Sequence, residues 1–186
     1  TPVFVTLRPP DYRLDVDALR AAVTPRTRML LVNSPHNPTG TVLTPDELGA
    51  IATVAREHDL IVVTDEVYEH LTYDGAAHVP LATLPGMGER TLTISSGGKT
   101  FNTTGWKVGW MCGPAELVTA VTTAKQFLTY VNAGPFQPAI AAGLRLPDTY
   151  FTGLASQLAA QRDVLCAGLE NAGFAVFRPQ GTYFVT

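Results

Sequence analysis

Lys99 and Lys107 stand eight residues apart in TLTISSGGKTFNTTGWKVGW, the stretch from Thr91 to Trp110. Gly98-Lys99-Thr100 follows an apolar run, and a lysine in that setting has two uses. It can end a phosphate-binding loop, or it can be an amine held for covalent chemistry with a carbonyl. Other polar residues are placed to join it. Asn37 lies in NSPHNPTG, Asp65 and Tyr68 in TDEVY, and Ser95 and Ser96 just before the glycine pair. Each has an ordinary reading. Asn-Pro-Thr-Gly is a common turn, Asp65 suits a helix cap, and Tyr68 suits a half-buried position. Ser96 fits a turn, and Lys107 in an alternating segment fits a solvated charge. Their joint occurrence after three apolar runs favours a shared pocket.

The phosphate-loop reading fails on spacing. The full pattern requires a glycine at position 93, where the chain has Thr93. Its lysine and threonine should also open a helix that faces the phosphates. Here FNTTGWKVGW offers a turn and then alternating apolar residues. LIVVTDE resembles the acidic strand of such enzymes, but it precedes the lysine, whereas that strand generally follows.

The surrounding elements are those of an α/β domain. RMLLVN (Arg28–Asn33), LIVVT (Leu60–Thr64) and TLTI (Thr91–Ile94) read as buried strands. Between the first two, Thr44, Pro45 and Glu47 spell a capping box with proline at the first helical position. Leu48, Ile51, Ala52 and Ala55 then recur on one helical face. Strand, helix, strand implies a parallel βαβ unit. In such sheets ligands bind beyond the carboxyl ends of the strands, where Asn37, Asp65, Ser96 and Lys99 fall. WKVGWMC (Trp106–Cys112) reads as a fourth extended segment, and a helix runs from Pro114 to about Phe127. A long amphipathic helix covers Asp148–Asn171, with Leu154, Leu158, Leu165 and Leu169 among its apolar positions. FAVF and TYFVT read as two short strands. The chain begins with Thr1 and breaks off within the last of these, so a piece of a longer protein is expected.

The 186 residues carry a net charge of −3 and are 46% apolar, which fits a globular chain with a sizeable core. No basic run suits nucleic acid, no polybasic patch suits a membrane, and no apolar run spans a bilayer. The N-terminus has no signal-peptide pattern. Cys112 and Cys166 are singly placed and read as buried thiols of a reducing compartment. The four histidines show no ligand spacing, so no metal site is expected.

NSPHNPTG, VTDEVYEHLTYDG, TLTISSGGKTFNTTGWKVGW and GPAEL together resemble the class I/II aminotransferases, the fold-type I enzymes that use pyridoxal 5'-phosphate. The resemblance runs from about Leu14 to Thr186, with the motifs in the family's order and spacing. LPGMGERTLTI and AKQFLTYVNAGPFQPA are similar to the kynurenine/glutamine transaminases and the N-succinyldiaminopimelate or methionine aminotransferases.

The resemblance implies a mostly parallel sheet flanked by helices. Residues 1–147 would be part of the cofactor-binding large domain, and 148–186 a linking helix and the start of a small C-terminal α+β domain. It implies that Lys99 bonds covalently to the cofactor aldehyde, Asp65 holds the pyridine nitrogen protonated, and Tyr68 and Asn37 bond the ring oxygen. Ser96 and Lys107 would bind the phosphate. Lys107 departs from the arginine found in many members, replacing a fork with a point charge. Gly98 departs from a frequent serine. A cytoplasmic homodimer acting on amino acids and 2-oxo acids is implied, with no nucleic-acid or membrane partner. A carbon–sulfur β-lyase shares these residues, and a non-catalytic domain of a transcription regulator shares the fold. The family's ring-stacking aromatic, amide loop and substrate-carboxylate arginine are not found in this stretch. Arg178 is not assigned that last role, and these 186 residues alone are expected to be inactive.

Overall fold

Residues Met29–Asn33 (β1) and Ile61–Asp65 (β2) are short runs rich in branched side chains, which suit a sheet. The computed structural model describes all of residues 1–186. It adds Thr91–Ser96 (β3) and Gly109–Cys112 (β4) in a four-stranded sheet of order β1-β2-β3-β4. The first three strands are parallel, with Asn33 opposite Asp65 and Asp65 opposite Ile94. β4 is antiparallel, with Ser96 opposite Gly109. The connection from β3 to β4 coils through a short helix at Gly97–Thr100 and a 3-10 turn at Thr104–Trp106, and the chain then turns back.

Helix α1 (Val16–Ala22) is capped by Asp15, whose carboxylate accepts from Ala18 N. Helix α2 (Pro45–Glu57) joins β1 to β2 and has the predicted capping box. Thr44 Oγ1 accepts from Glu47 N at 3.2 Å, and Glu47 Oε2 accepts from Thr44 N at 2.7 Å. The Glu47 carboxylate also takes Leu14 N at 2.9 Å, so one side chain fixes both the helix start and the N-terminal segment. Leu48, Ile51, Ala52, Val54 and Ala55 are buried with Val62, Leu60, Leu81 and Met87, forming the core on one face of the sheet. The other face carries Met29, Leu31 and Ile94, all exposed. Short helix α3 (Gly97–Thr100) follows β3, and α4 (Ala115–Leu128), α5 (Gln137–Gly143) and α6 (Asp148–Asn171) complete the chain.

Four expectations are corrected. The extended segment begins at Gly109 and not at Trp106, because Lys107 has a left-handed backbone (φ 55°) that breaks an extended run. FAVF and TYFVT are not strands, and Phe177 N to Thr186 O is the one backbone bond between them. Their neighbouring residues bond instead to loops near the site, and Thr182 is left-handed (φ 67°). On α6 the buried residues are Arg162 and Cys166, while Leu165 is 51% exposed. Leu154, Leu158 and Leu169 are partly buried, so a buried cation joins the leucines in holding the helix. Cys166 is buried as expected, but Cys112 is exposed at the end of the edge strand.

Ile51 is 2% exposed at the centre of the α2–sheet contact. Ile51→Ala in the full-length protein is expected to cost about 2–5 kcal/mol. A fall in the urea midpoint measures it, and an unchanged midpoint would contradict this packing.

Candidate active site

The register that puts Asn33 opposite Asp65 brings the ends of β1 and β2 together. Asn33 then joins three pieces of chain. Its Nδ2 donates to the Asp65 carbonyl at 2.9 Å, and its Oδ1 accepts from Asn37 N at 2.7 Å. Ser34 N also donates to the Asp65 carbonyl, at 3.1 Å. The Asn-Pro-Thr-Gly loop is thereby tied to the strand that delivers Asp65. Gly40 in that loop has φ +71°, and a Cβ there would lie 2.3 Å from Pro179 Cβ. Only glycine permits so close a crossing of the two segments.

After β2 the chain turns instead of entering a helix. Asp65 Oδ1 accepts from Val67 N at 3.2 Å, which bends the backbone and leaves Tyr68 buried at 2% exposure. After β3 it coils into α3, which lifts Lys99 toward the same place. Gly97 has no room for a side chain, since a Cβ would lie 2.5 Å from Ile140 Cδ1. Leu31, Asn33, Asn37, Asp65, Val67, Tyr68 and Lys99 line one cavity of about 410 Å³. That size suits a small organic ligand.

Four of the sequence-derived candidates thus converge: Asn37, Asp65, Tyr68 and Lys99. Ser96 and Lys107 do not line the cavity. They are near one another across the β3–β4 pairing, where Gly97 N donates to Val108 O at 3.1 Å. Lys107 is exposed, and its left-handed backbone is held by a 2.8 Å bond from Asn132 Nδ2 to its carbonyl.

The Lys99 ammonium faces two aromatic rings, 6.0 Å from the centre of Tyr68 and 5.6 Å from that of Tyr183. The two tyrosines meet edge to face at 5.5 Å. Burial, then the Tyr183 phenol, then the Asp65 carboxylate push the Tyr68 phenol well above its ordinary range. It therefore keeps its proton and is a hydrogen-bond donor at neutral pH. For Tyr183, burial pushes upward, but hydrogen bonding to Lys99 and Tyr68 and the Lys99 charge outweigh it and lower the phenol.

Three features were missed from sequence. Asn33 looks like the end of an apolar strand. Tyr183 is far along the chain in an apparent strand. Glu66 and His78 form a buried pair at 2.8 Å, with Thr64 Oγ1 donating to the other Glu66 oxygen at 2.7 Å. Glu69 lies close by and accepts from Ser95 Oγ at 2.7 Å. These bonds satisfy the buried Glu66 carboxylate beneath the Asp65 turn, while His78 Nδ1 has no partner. The TDE triplet was the available signal, since a second acid next to Asp65 needs a buried partner.

The segment carrying Tyr183 is latched by charge. Arg162, 4% exposed, makes a two-pronged contact with Asp74 at 2.7 and 3.0 Å and donates to the Pro179 carbonyl at 2.9 Å. Its guanidinium lies 5.0 Å over the Tyr73 ring, and the Tyr73 hydroxyl donates to the Thr182 carbonyl.

The carboxyl edge of this sheet, where such folds bind ligands, thus carries a lysine, a carboxylate and a proton-keeping phenol around one cavity. The chain belongs to the aminotransferase class I and II family, whose model matches residues 1–186. It is 59% identical over 174 residues to a probable N-succinyldiaminopimelate aminotransferase of Mycobacterium tuberculosis, covering 94% of this chain and 44% of that protein. It is 43% identical to a kynurenine–oxoglutarate transaminase of Dictyostelium discoideum, covering 94% and 41%. The solved structure of N-succinyldiaminopimelate aminotransferase from Mycobacterium tuberculosis superposes with a TM-score of 0.91 at 56% identity, covering 98% of this chain and 46% of that one. The chain therefore spans less than half the length of these relatives.

Burial pushes Tyr73 up to about 12, with Arg162 opposing. A phenol whose pKa is higher folded than unfolded stabilises the fold below its unfolded value, and loses that contribution as pH rises to the folded one. Stability should fall between about pH 10 and about pH 12. Tyr73→Phe is expected to flatten that fall while costing about 1 kcal/mol at neutral pH for the lost hydrogen bond. Urea unfolding of both proteins across this window checks it, and equal slopes would contradict the assignment.

Proposed function

We propose that the protein containing this chain is a pyridoxal-phosphate-dependent aminotransferase, and that Lys99 is its covalent residue. The convergence of Lys99, Asp65, Tyr68 and Asn37 on one cavity carries this reading. The donor set fits the cofactor. An amine is present for an aldehyde, a carboxylate for a ring nitrogen and a protonated phenol for an anionic oxygen.

When bound, pyridoxal phosphate supplies a carbonyl for the lysine and a ring that accepts the electron pair of the substrate Cα–H bond. Lys99 would offer its amine to that carbonyl and hold or pass on a proton at Nζ. Asp65 would hold a proton on the ring nitrogen by its negative charge. Tyr68 would donate from its hydroxyl, and Asn37 from its amide, to the ring oxygen. Ser96 would offer a hydroxyl and Lys107 a point charge to the phosphate. Leu31 and Val67 supply the apolar part of the cavity lining.

The 59% identity to a probable N-succinyldiaminopimelate aminotransferase supports N-succinyl-LL-2,6-diaminopimelate as amino donor with a 2-oxo acid as acceptor. We further take residues 1–147 as part of the large domain and 148–186 as the linking helix and start of a small domain. A cytoplasmic homodimer is the expected setting.

Borohydride treatment of the full-length holoenzyme, followed by peptide mapping, is expected to fix the cofactor on Lys99. Label on another lysine would overturn the assignment. Asp65→Asn should keep that label while slowing turnover. Removing one partner of a buried ion pair costs about 3–5 kcal/mol, a loss of about a hundredfold to a few thousandfold. A rate within tenfold of the parent would make Asp65 a structural residue. Among donors tested with 2-oxoglutarate, N-succinyldiaminopimelate should give the highest kcat/KM. A higher value for kynurenine or methionine would reassign the substrate.

A further inference from the structure

Lys107 has a left-handed backbone, at φ 55° and ψ 40°. A residue with a Cβ adopts that conformation at a cost, so it persists where neighbours impose it. Three contacts do so here. Before Lys107, the Trp106 ring stacks on Phe136 with ring centres 4.7 Å apart. After it, the Val108 carbonyl accepts from Gly97 N at 3.1 Å, beside Ser96. Between them, the Lys107 carbonyl accepts from Asn132 Nδ2 at 2.8 Å.

The amide that makes this central bond is itself held in one sense. Asn132 Oδ1 accepts from Lys125 Nζ at 3.2 Å. An ammonium can only donate, so Lys125 takes the oxygen end of the amide and leaves the nitrogen end for Lys107. Lys125 also donates to the Tyr130 carbonyl at 3.4 Å, and Gln137 Nε2 donates to the Asn132 carbonyl at 3.1 Å. Asn132 is therefore fixed through its own backbone and through both ends of its side chain. The end of α4, the start of α5 and the loop joining them form one support for the lysine backbone.

The support has a chemical use. A lysine is a point charge on a flexible stem, without the fork that locks an arginine onto two phosphate oxygens. Its aim depends on the direction in which the backbone releases the side chain. An extended backbone at position 107 would continue the alternation of β4, and the left-handed one redirects the Cα–Cβ bond. We propose that Asn132 is a positioning residue, whose amide holds Lys107 in this conformation and so directs its ammonium to the cofactor phosphate. The role rests on the reading of Lys107 as a phosphate ligand. Asn132 acts through Lys107 and is given no contact with the reacting atoms.

The test uses the full-length protein stripped of cofactor and two probes, pyridoxal phosphate and pyridoxal. Both carry the aldehyde, so the ratio of their dissociation constants isolates the phosphate. Absorbance titration measures each constant. Asn132→Ala is expected to weaken pyridoxal phosphate about fivefold to tenfold, in the range of one lost hydrogen bond, with pyridoxal changed less than twofold. Lys107→Gln is expected to weaken pyridoxal phosphate about tenfold or more, in the range of a hydrogen bond to a charged group, and again to spare pyridoxal. An unchanged ratio in Lys107→Gln overturns the phosphate reading of Lys107 and this proposal with it. A ratio that moves in Lys107→Gln but stays within twofold of the parent in Asn132→Ala overturns the role of Asn132 alone. Equal weakening of both probes in Asn132→Ala makes Asn132 a purely structural residue, which also overturns it. Should Asn132→Ala fail to fold, a crystal structure of the full-length parent with pyridoxal phosphate decides. The proposal requires the Asn132 amide on the Lys107 carbonyl, a positive φ at Lys107 and the Lys107 ammonium on the phosphate. An extended Lys107, or an Asn132 amide turned away from it, contradicts the proposal.

Discussion

The pairing of β1 with β2 is the constraint from which the site follows. Parallel strands in register bring their carboxyl ends to one edge, so Asn33 and Asp65 meet without further design. Asn33 then fixes the height of Asp65 and the path of the Asn-Pro-Thr-Gly loop with the two ends of one amide. A slip of one residue would turn Asp65 to the core face and leave a carboxylate among Val62, Leu48 and Ile51. The hydrophobic effect on one face of the sheet therefore fixes which groups the other face presents.

A second layer of polar contacts stiffens this edge. Glu66 points to the core side, where an unpaired carboxylate would be costly, and Thr64 and His78 satisfy it. Glu69 and Ser95 tie the turn after β2 to β3. On the far side, the Arg162–Asp74 pair holds the C-terminal segment against the loop after Tyr68. The cation is buried and the acid half-exposed, an arrangement that fixes geometry more than it adds stability. The outcome is a cavity whose walls come from three separate stretches of chain, each held by at least one side-chain bond.

Much of this was legible in the sequence, for local reasons. The capping box of α2 is a short-range code, and the hydrogen bonds at Thr44 and Glu47 follow it. Apolar runs ending in polar residues marked β1, β2 and β3, and the cavity-lining Asp65 and Lys99 sit where those runs stop. What was not legible depends on contacts between distant residues. Tyr183 and Lys99 are brought together by the latch of Arg162 on Asp74, which no periodicity reveals. The last apolar runs alternate like strands, but their partners are the loops at Gly40 and Leu71. Lys107 breaks its strand by a backbone angle that an alternating pattern does not show. His78 and Glu66 are separated by a loop that hides their pairing.

The central claim is that one cavity, built by Asn33, Asp65, Tyr68 and Lys99, holds the cofactor. A crystal structure of the full-length protein with pyridoxal phosphate tests it most directly. Continuous density from Lys99 Nζ to the cofactor is expected, with the Asp65 carboxylate at hydrogen-bond distance from the ring nitrogen. Cofactor joined to another lysine, or seated with its ring nitrogen away from Asp65, would contradict it.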